Sequence, residues 1–252
     1  MSDETEREQA LLRIGAVCAI FGAVVSVAAG AGFGNATNEL GTEDVLRHVS
    51  SLPDWYWPTV YLGFIFGALL WVGALDALAS SLPGGASKAL GRLGVAGAIV
   101  GASVHVVDSS ISGFGLAHVA EAWAAASGPE KATLLQNGDA LLVVLGGTWA
   151  AVLGLFHGVP FVLFGLAAAL DRGYPTWLGP FGAAGGLGSL YCGVTTFLGV
   201  SLVPEWLFIA FALVVSLWMV LVGVLMWRRA QEGVAGRAGA ITVDRRGGGV
   251  AS

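Results

Sequence analysis

The chain has 252 residues, of which 56% are hydrophobic and only 12% charged, with 39 glycines and a formal net charge of −5. A soluble domain of that composition would lack the polar surface to stay dissolved, so lipid must cover much of it. The acidic balance, with basic pairs only at Arg228-Arg229 and Arg245-Arg246, also excludes a nucleic-acid-binding surface.

Six apolar runs follow in chain order, at about residues 10–32, 57–81, 90–120, 140–170, 177–200 and 206–227. Each matches the ~20 residues that a helix needs to cross a bilayer. Every charged side chain except Asp76 and Asp108 lies outside these runs or at their rims. The expected fold is all-α, a polytopic transmembrane six-helix bundle over residues 10–228. A cytoplasmic segment, 1–9, precedes it, and a tail, 229–252, rich in Gly, Ala and Arg, is expected to be disordered. Six crossings put both termini on one side, and that side carries all the Lys and Arg residues except Arg47 and Lys131. The positive-inside rule then places both termini in the cytoplasm and the protein in the cell membrane, with the lipid bilayer as its first partner.

The first run follows Asp3-Glu4-Thr5-Glu6 rather than a basic stretch and exceeds a signal-peptide core, so it reads as a retained span. Next, Thr42-Glu43-Asp44-Val45-Leu46 has an N-cap with acids in the first turn and predicts a short surface helix. Trp55-Tyr56-Trp57-Pro58 supplies an interfacial aromatic belt where the second run begins, with an anchoring role. Ser127-Gly128-Pro129-Glu130-Lys131 predicts another short helix ahead of the fourth run. The short links after the second and fourth runs predict antiparallel hairpins of spans two and three, and of four and five. Spans three and four are expected at the centre and the sixth, almost without polar residues, toward lipid. Cys18 and Cys192 fall at depths about 10 Å apart at helical rise, which argues against a disulfide.

In the third run, Gly94, Gly97, Gly101, His105, Asp108, Ser112, Gly115 and His118 recur at intervals of three and four, which marks one helix face. A carboxylate in hydrocarbon costs several kcal/mol unless paired or hydrated, so this stripe must face the interior. His157 falls at the depth of His105 and Asp108 in the fourth run, and Pro160, which cannot donate to the carbonyl of Phe156, predicts a kink beside it. In the fifth run Gly182, Gly186, Ser189, Gly193 and Thr196 predict a close-packing seam, with Tyr191 at mid-depth as a hydroxyl for a cavity. Asp76 lies near the cytoplasmic rim of the second run with Gly73 and Ser80, where hydration and pairing with Arg92 are both open.

The candidate ligand or proton site is therefore His105, Asp108, His157, Asp76, Tyr191 and Ser112. In a purely structural role His105 would hydrogen-bond Asp108 one turn away and fix helix packing. In a functional role the group binds or transports a small or lipophilic ligand. The alternative is a membrane-embedded enzyme acting on an isoprenoid or other lipid, with Asp108 as general acid or base and His105 tuning it. A metal on His105, Asp108 and His157, or a haem between the histidines, has acceptable ligand types without a specific motif; no metal is assigned and the cofactor is left open. A polar path on both sides of Asp108 would indicate transport, a one-sided pocket an enzyme or receptor, and sealed packing a structural or partner-binding role. No H-E-x-x-H, G-x-S-x-G or phosphate-binding loop occurs, and no lysine lies deep in a run. Zinc-protease, serine-hydrolase, nucleotide-binding and retinal Schiff-base chemistry are thereby excluded.

The segment Tyr174-Pro175-Thr176-Trp177-Leu178-Gly179-Pro180 is a short turn with a P-x-W-L signature leading into a glycine-rich span. It resembles the fifth-span entry of uncharacterised bacterial six-span membrane proteins grouped as domains of unknown function, over about the last three spans. The resemblance implies six helices and plasma-membrane residence and brings no functional residues.

Overall fold

The computed structural model describes residues 2–32, 41–200 and 205–247, with side chains described over 6–32, 41–200 and 206–232. Every element among them is helical: α1 Ser2–Gly32, α2 Thr42–Ser50, α3 Tyr56–Ser81, α4 Ala86–Ala125, α5 Gly128–Leu170, α6 Leu178–Phe197 and α7 Glu205–Gly247. Two wide π-turns interrupt the regular pattern, Ile111–Gly115 in α4 and Leu153–Gly158 in α5.

Five helices, α1, α3, α4, α5 and α7, are long and apolar enough to cross a membrane, with mean hydropathies of 1.6 to 2.8. The sixth long element, α6, has 20 residues and is diluted by glycine. Helix α1 packs on α3 and α7, α3 on α4, α4 on α5, α5 on α6 and α6 on α7, which closes a ring in chain order. The two expected hairpins are both present. Trp71, Phe156, Phe161, Phe164, Trp218 and Met219 fill the interior.

The expectation that spans three and four form the centre holds for one of them. The most apolar stretch of α5 has 56% of its residues buried, against 33% for α4 and 28% for α7. A closed ring gives each helix two neighbours and one lipid-facing side, so α4 is no more enclosed than α1.

Helix α2 forms where expected and lays Leu46 and Val49 against Trp57, Leu116, Ala120 and Trp123. Thr42, expected as its N-cap, sits inside the first turn after Gly41, and its hydroxyl bonds the Asp139 carboxylate of α5 instead. No separate helix forms at Ser127–Lys131. Ala126 and Ser127 make a tight turn, and Pro129 enters the first turn of α5, where its missing N–H is no loss. Helices α4 and α5, with 40 and 43 residues, are therefore each about 60 Å long. That is twice the ~30 Å hydrocarbon core, so the hairpin projects beyond any bilayer, with α2 packed on the projection.

Helix α7 also departs from expectation by continuing to Gly247 through residues read as disordered. Propagating a helix already nucleated by an apolar span costs far less than starting one, and Ala, Arg and Glu are good helix formers. The last part of that tail lies outside the described residues.

Candidate functional site

The polar stripe of α4 reaches the interior because glycine lets it in. A Cβ at Gly101 would lie 2.5 Å from the carbonyl oxygen of Leu155, and one at Gly94 2.7 Å from the ring of Phe164. Helices α4 and α5 thus touch backbone to backbone at the second π-turn. Within that turn Val159 N–H bonds the carbonyl of Gly154, so the next donor in the same register would come from Pro160, which has none. The carbonyl oxygen of Leu155, which that register would pair with Pro160, faces Gly101. The proline follows a widened turn, at the end of which Gly158 is distorted to φ −93° and ψ −82°.

Along the stripe His105, Asp108 and Ser112 are buried, while His118 is exposed and its Nδ1 lies 3.1 Å from the carbonyl oxygen of Phe114. A step of three residues falls about 60° short of a full turn, and the steps from Ser112 to Gly115 to His118 accumulate that drift. The expected His105–Asp108 bond does not form, for the same reason. The two side chains diverge, and Asp108 accepts from Thr148 Oγ1 of α5 at 2.5 Å. The ring of His105 stacks on Phe156 with centroids 5.4 Å apart and planes at 11°. Its edge contacts are Phe64 at 6.1 Å and His157 at 6.1 Å. His157 in turn meets Trp71 at 5.9 Å. Among the described residues, the Nδ1 of His105 and the Nε1 of Trp71 have no hydrogen-bond partner.

The structure thus joins His105 to His157 in an aromatic cluster, and Asp108 and Ser112 to a separate polar cluster. Tyr61 of α3 brings its hydroxyl beside the Ser112 side chain and into the field of Asp108. Trp57 Nε1 donates to the Ser112 carbonyl oxygen at 3.0 Å. Trp57 is consequently buried, and of the expected aromatic belt Trp55 is the member left exposed. Among the described residues no group of three His, Cys, Asp or Glu side chains converges as a metal site.

Two candidates point elsewhere. Asp76 is exposed on the outward face of α3 with Gly73 and Ser80, and no ion pair joins it to Arg92 among the described residues. Tyr191 is 50% exposed on the outer side of α6. The inner side of α6 is the expected seam: a Cβ at Gly186 would lie 2.6 Å from the backbone nitrogen of Val162, and one at Gly193 2.7 Å from that of Gly154. Thr196 leaves the seam and is exposed, while Thr195 is buried.

A crevice of about 450 Å³ lies between the start of α3 and the first π-turn of α4, lined by Pro58, Thr59, Tyr61, Leu62, Ile65, Ser109, Ser110, Gly113 and Phe114. Leu62 and Phe114, exposed by 50% and 65%, mark its mouth on the lateral surface. Ser109 borders it, but its hydroxyl oxygen is itself buried and has no partner among the described residues. Comparison with protein-family models, with curated proteins and with solved structures gives no match. The functional reading therefore rests on this geometry.

Sequence reasoning passed over Tyr61, Ser109 and Thr148 and read Trp57 only as an interfacial anchor. Tyr61 lies four residues after Trp57, on the same helix face, and Thr148 is a polar residue inside an apolar run. Both signals were present, but hydroxyl and aromatic residues are too common in spans to stand out.

Proposed function

We propose that this is a multi-pass membrane protein with six spans and both termini cytoplasmic, and that it binds a lipophilic ligand that enters sideways from the bilayer. The observation that carries the reading is the lateral crevice, with apolar walls and with Tyr61 and Ser109 among its lining. It runs from Pro58, near the first turn of α3, to Ile65, a depth of about 13 Å from the helix start. An amphiphile in one leaflet spans the same distance. A pocket with one opening favours retention over passage. Asp108 and His105, 3% and 4% exposed, are sealed in packing and lie outside the crevice lining, which favours a structural role for that pair and leaves binding to the lateral crevice. The six-span count adds α6, whose 20 residues reach about 30 Å.

The test is photocrosslinking of the purified protein in nanodiscs with a diazirine-bearing isoprenoid alcohol. Labels concentrated on residues 58–65 and 109–114, and lost in Leu62→Trp, support the reading. Labels spread evenly over the lipid-facing surface overturn it. Reporter fusions in the links between spans test the topology.

A second reading is a membrane-embedded enzyme acting on the same ligand class. It is favoured by the adjacency of Asp108 to Ser109 and by the approach of Tyr61 to both Ser112 and Asp108. Asp108 would be the general acid or base. Turnover of the bound lipid by wild type, abolished in Asp108→Asn with binding retained, would select this reading over binding alone.

A further inference from the structure

We infer that Arg172, Arg228 and Arg229 form a site for the phosphate of an anionic lipid headgroup, at the end of the bundle where the link between α5 and α6 meets α7. It rests on the membrane-spanning arrangement proposed above and is independent of the α3–α4 crevice.

The backbone gathers the three arginines. The guanidinium of Arg229 lies 3.7 Å over the ring of Tyr174. Its Nη2 fills the space that a side chain at residue 173 would take, since a Cβ on Gly173 would lie 2.1 Å from it. Arg172 precedes Gly173 by one Cα step of about 3.8 Å, and Arg228 precedes Arg229 on α7. Two segments distant in sequence thus bring three cations to one place, with Arg172 and Arg228 exposed.

Their charge is poorly matched within the chain. Asp171 Oδ2 lies 3.9 Å from Arg229, beyond hydrogen-bonding distance, and has no hydrogen-bond partner among the described residues. That carboxylate is the buried member of the pair, with its side chain 8% exposed against 27% for Arg229, so the guanidinium keeps an outward side. Glu232, exposed one turn further along α7, makes no ion pair among the described residues, and no carboxylate there pairs with Arg172 or Arg228. A phosphate placed among these groups would relieve their mutual repulsion and accept paired N–H donors from a planar guanidinium.

The depth of the cluster selects a lipid as the source of that phosphate. Trp177 at the start of α6 and Trp227 just before Arg228 are 49% and 41% exposed. Tryptophans standing out from a bundle in this way sit at headgroup level. Arginines just beyond them occupy the layer in which lipid phosphates lie, and a basic pocket between spans at that depth is suited to an anionic headgroup.

The experiment titrates the full chain in detergent with phosphatidylglycerol and with phosphatidylcholine, and counts bound lipid by native mass spectrometry. Phosphatidylglycerol should bind on the order of tenfold more tightly. Arg172→Gln and Arg228→Gln should each weaken it about fivefold, whereas Arg92→Gln, which removes an exposed cation on α4 outside the cluster, should not. Arg229 is left in place because it packs on Tyr174; helical content and thermal unfolding check the folding of each variant. Equal affinity for the two lipids, or an equal loss in Arg92→Gln, overturns the site in favour of a general charge effect. Displacement of phosphatidylglycerol by millimolar inorganic phosphate overturns the assignment to lipid. A chain that enters nanodiscs of neither lipid overturns the membrane-spanning arrangement and this inference with it.

Discussion

Trp57 caps the π-turn of α4 by donating its indole N–H to the carbonyl oxygen of Ser112 at 3.0 Å. The bond has a cause in the backbone. Leu116 N–H bonds Ile111 in the π register, which deprives Ser112 of the donor that an α-helix would provide. A residue from the first turn of α3 supplies the replacement, and the crevice between the two helices inherits its fixed width.

Trp57→Phe keeps the ring and deletes the donor. It should destabilise the protein by about 1–3 kcal/mol, the range for a buried acceptor left unpaired. Thermal unfolding in detergent measures the loss, and an unchanged midpoint would show that the carbonyl finds another donor.

Glycines in the same bundle should respond with opposite sign. Gly101→Ala places a Cβ 2.5 Å from backbone of α5 that has no room to retreat, and should cost about 1–3 kcal/mol as overpacking does. At Gly147 nothing lies within 4 Å, so alanine should stabilise by about 0.5–1 kcal/mol through the unfolded chain. Both variants can be read in one denaturant titration.

Asp108 and Thr148 should be energetically coupled. In a double-mutant cycle with Asp108→Asn and Thr148→Val, contact through the 2.5 Å bond should appear as an interaction energy of about 0.5–3 kcal/mol. Strict additivity would mean that the bond contributes nothing. Asp108→Asn by itself should still fold, because asparagine can accept from the same hydroxyl.

At the end of the bundle opposite α2, Tyr174 is 4% exposed, shares a hydrogen bond with Ser81 at 3.1 Å and lies 3.7 Å beneath the guanidinium of Arg229. Burial holds its hydroxyl above the usual tyrosine value, outweighing the opposing effect of Arg229. Because the folded state binds this proton more tightly than the unfolded chain, its contribution is intact below about pH 10 and is lost as pH rises further. Stability measured against pH should therefore fall more steeply in wild type than in Tyr174→Phe on the alkaline side. Parallel curves would contradict this.

How far the sequence anticipated the site depended on whether period or chemistry set each position. Asp108 was legible because a carboxylate in an apolar run admits few environments, and its stripe had to turn inward. The seam of α6 was legible through the spacing of Gly186 and Gly193, whereas Gly182 meets Trp218 of α7. Tyr191 and His118 misled because nearness in depth or in steps of three does not fix the azimuth, and both emerged on the outside. The two π-turns had no signature beyond Pro160, and they decide what Trp57 and Ser112 do. Ser109 was passed over because only the geometry of its neighbours shows that its hydroxyl lacks the usual partner.

The glycine seam has a consequence for biogenesis. Helix α6 falls outside the five strongly apolar helices, yet it lies against α5 with glycine on backbone at Gly186 and Gly193 and with Gly165 facing Gly179. In a six-span arrangement such a segment gains little by partitioning into lipid alone. It gains its close contacts only when α5 is already in place. In that arrangement the order of synthesis would supply the sequence of events, since α5 leaves the ribosome first and would serve as the template on which α6 is admitted to the membrane.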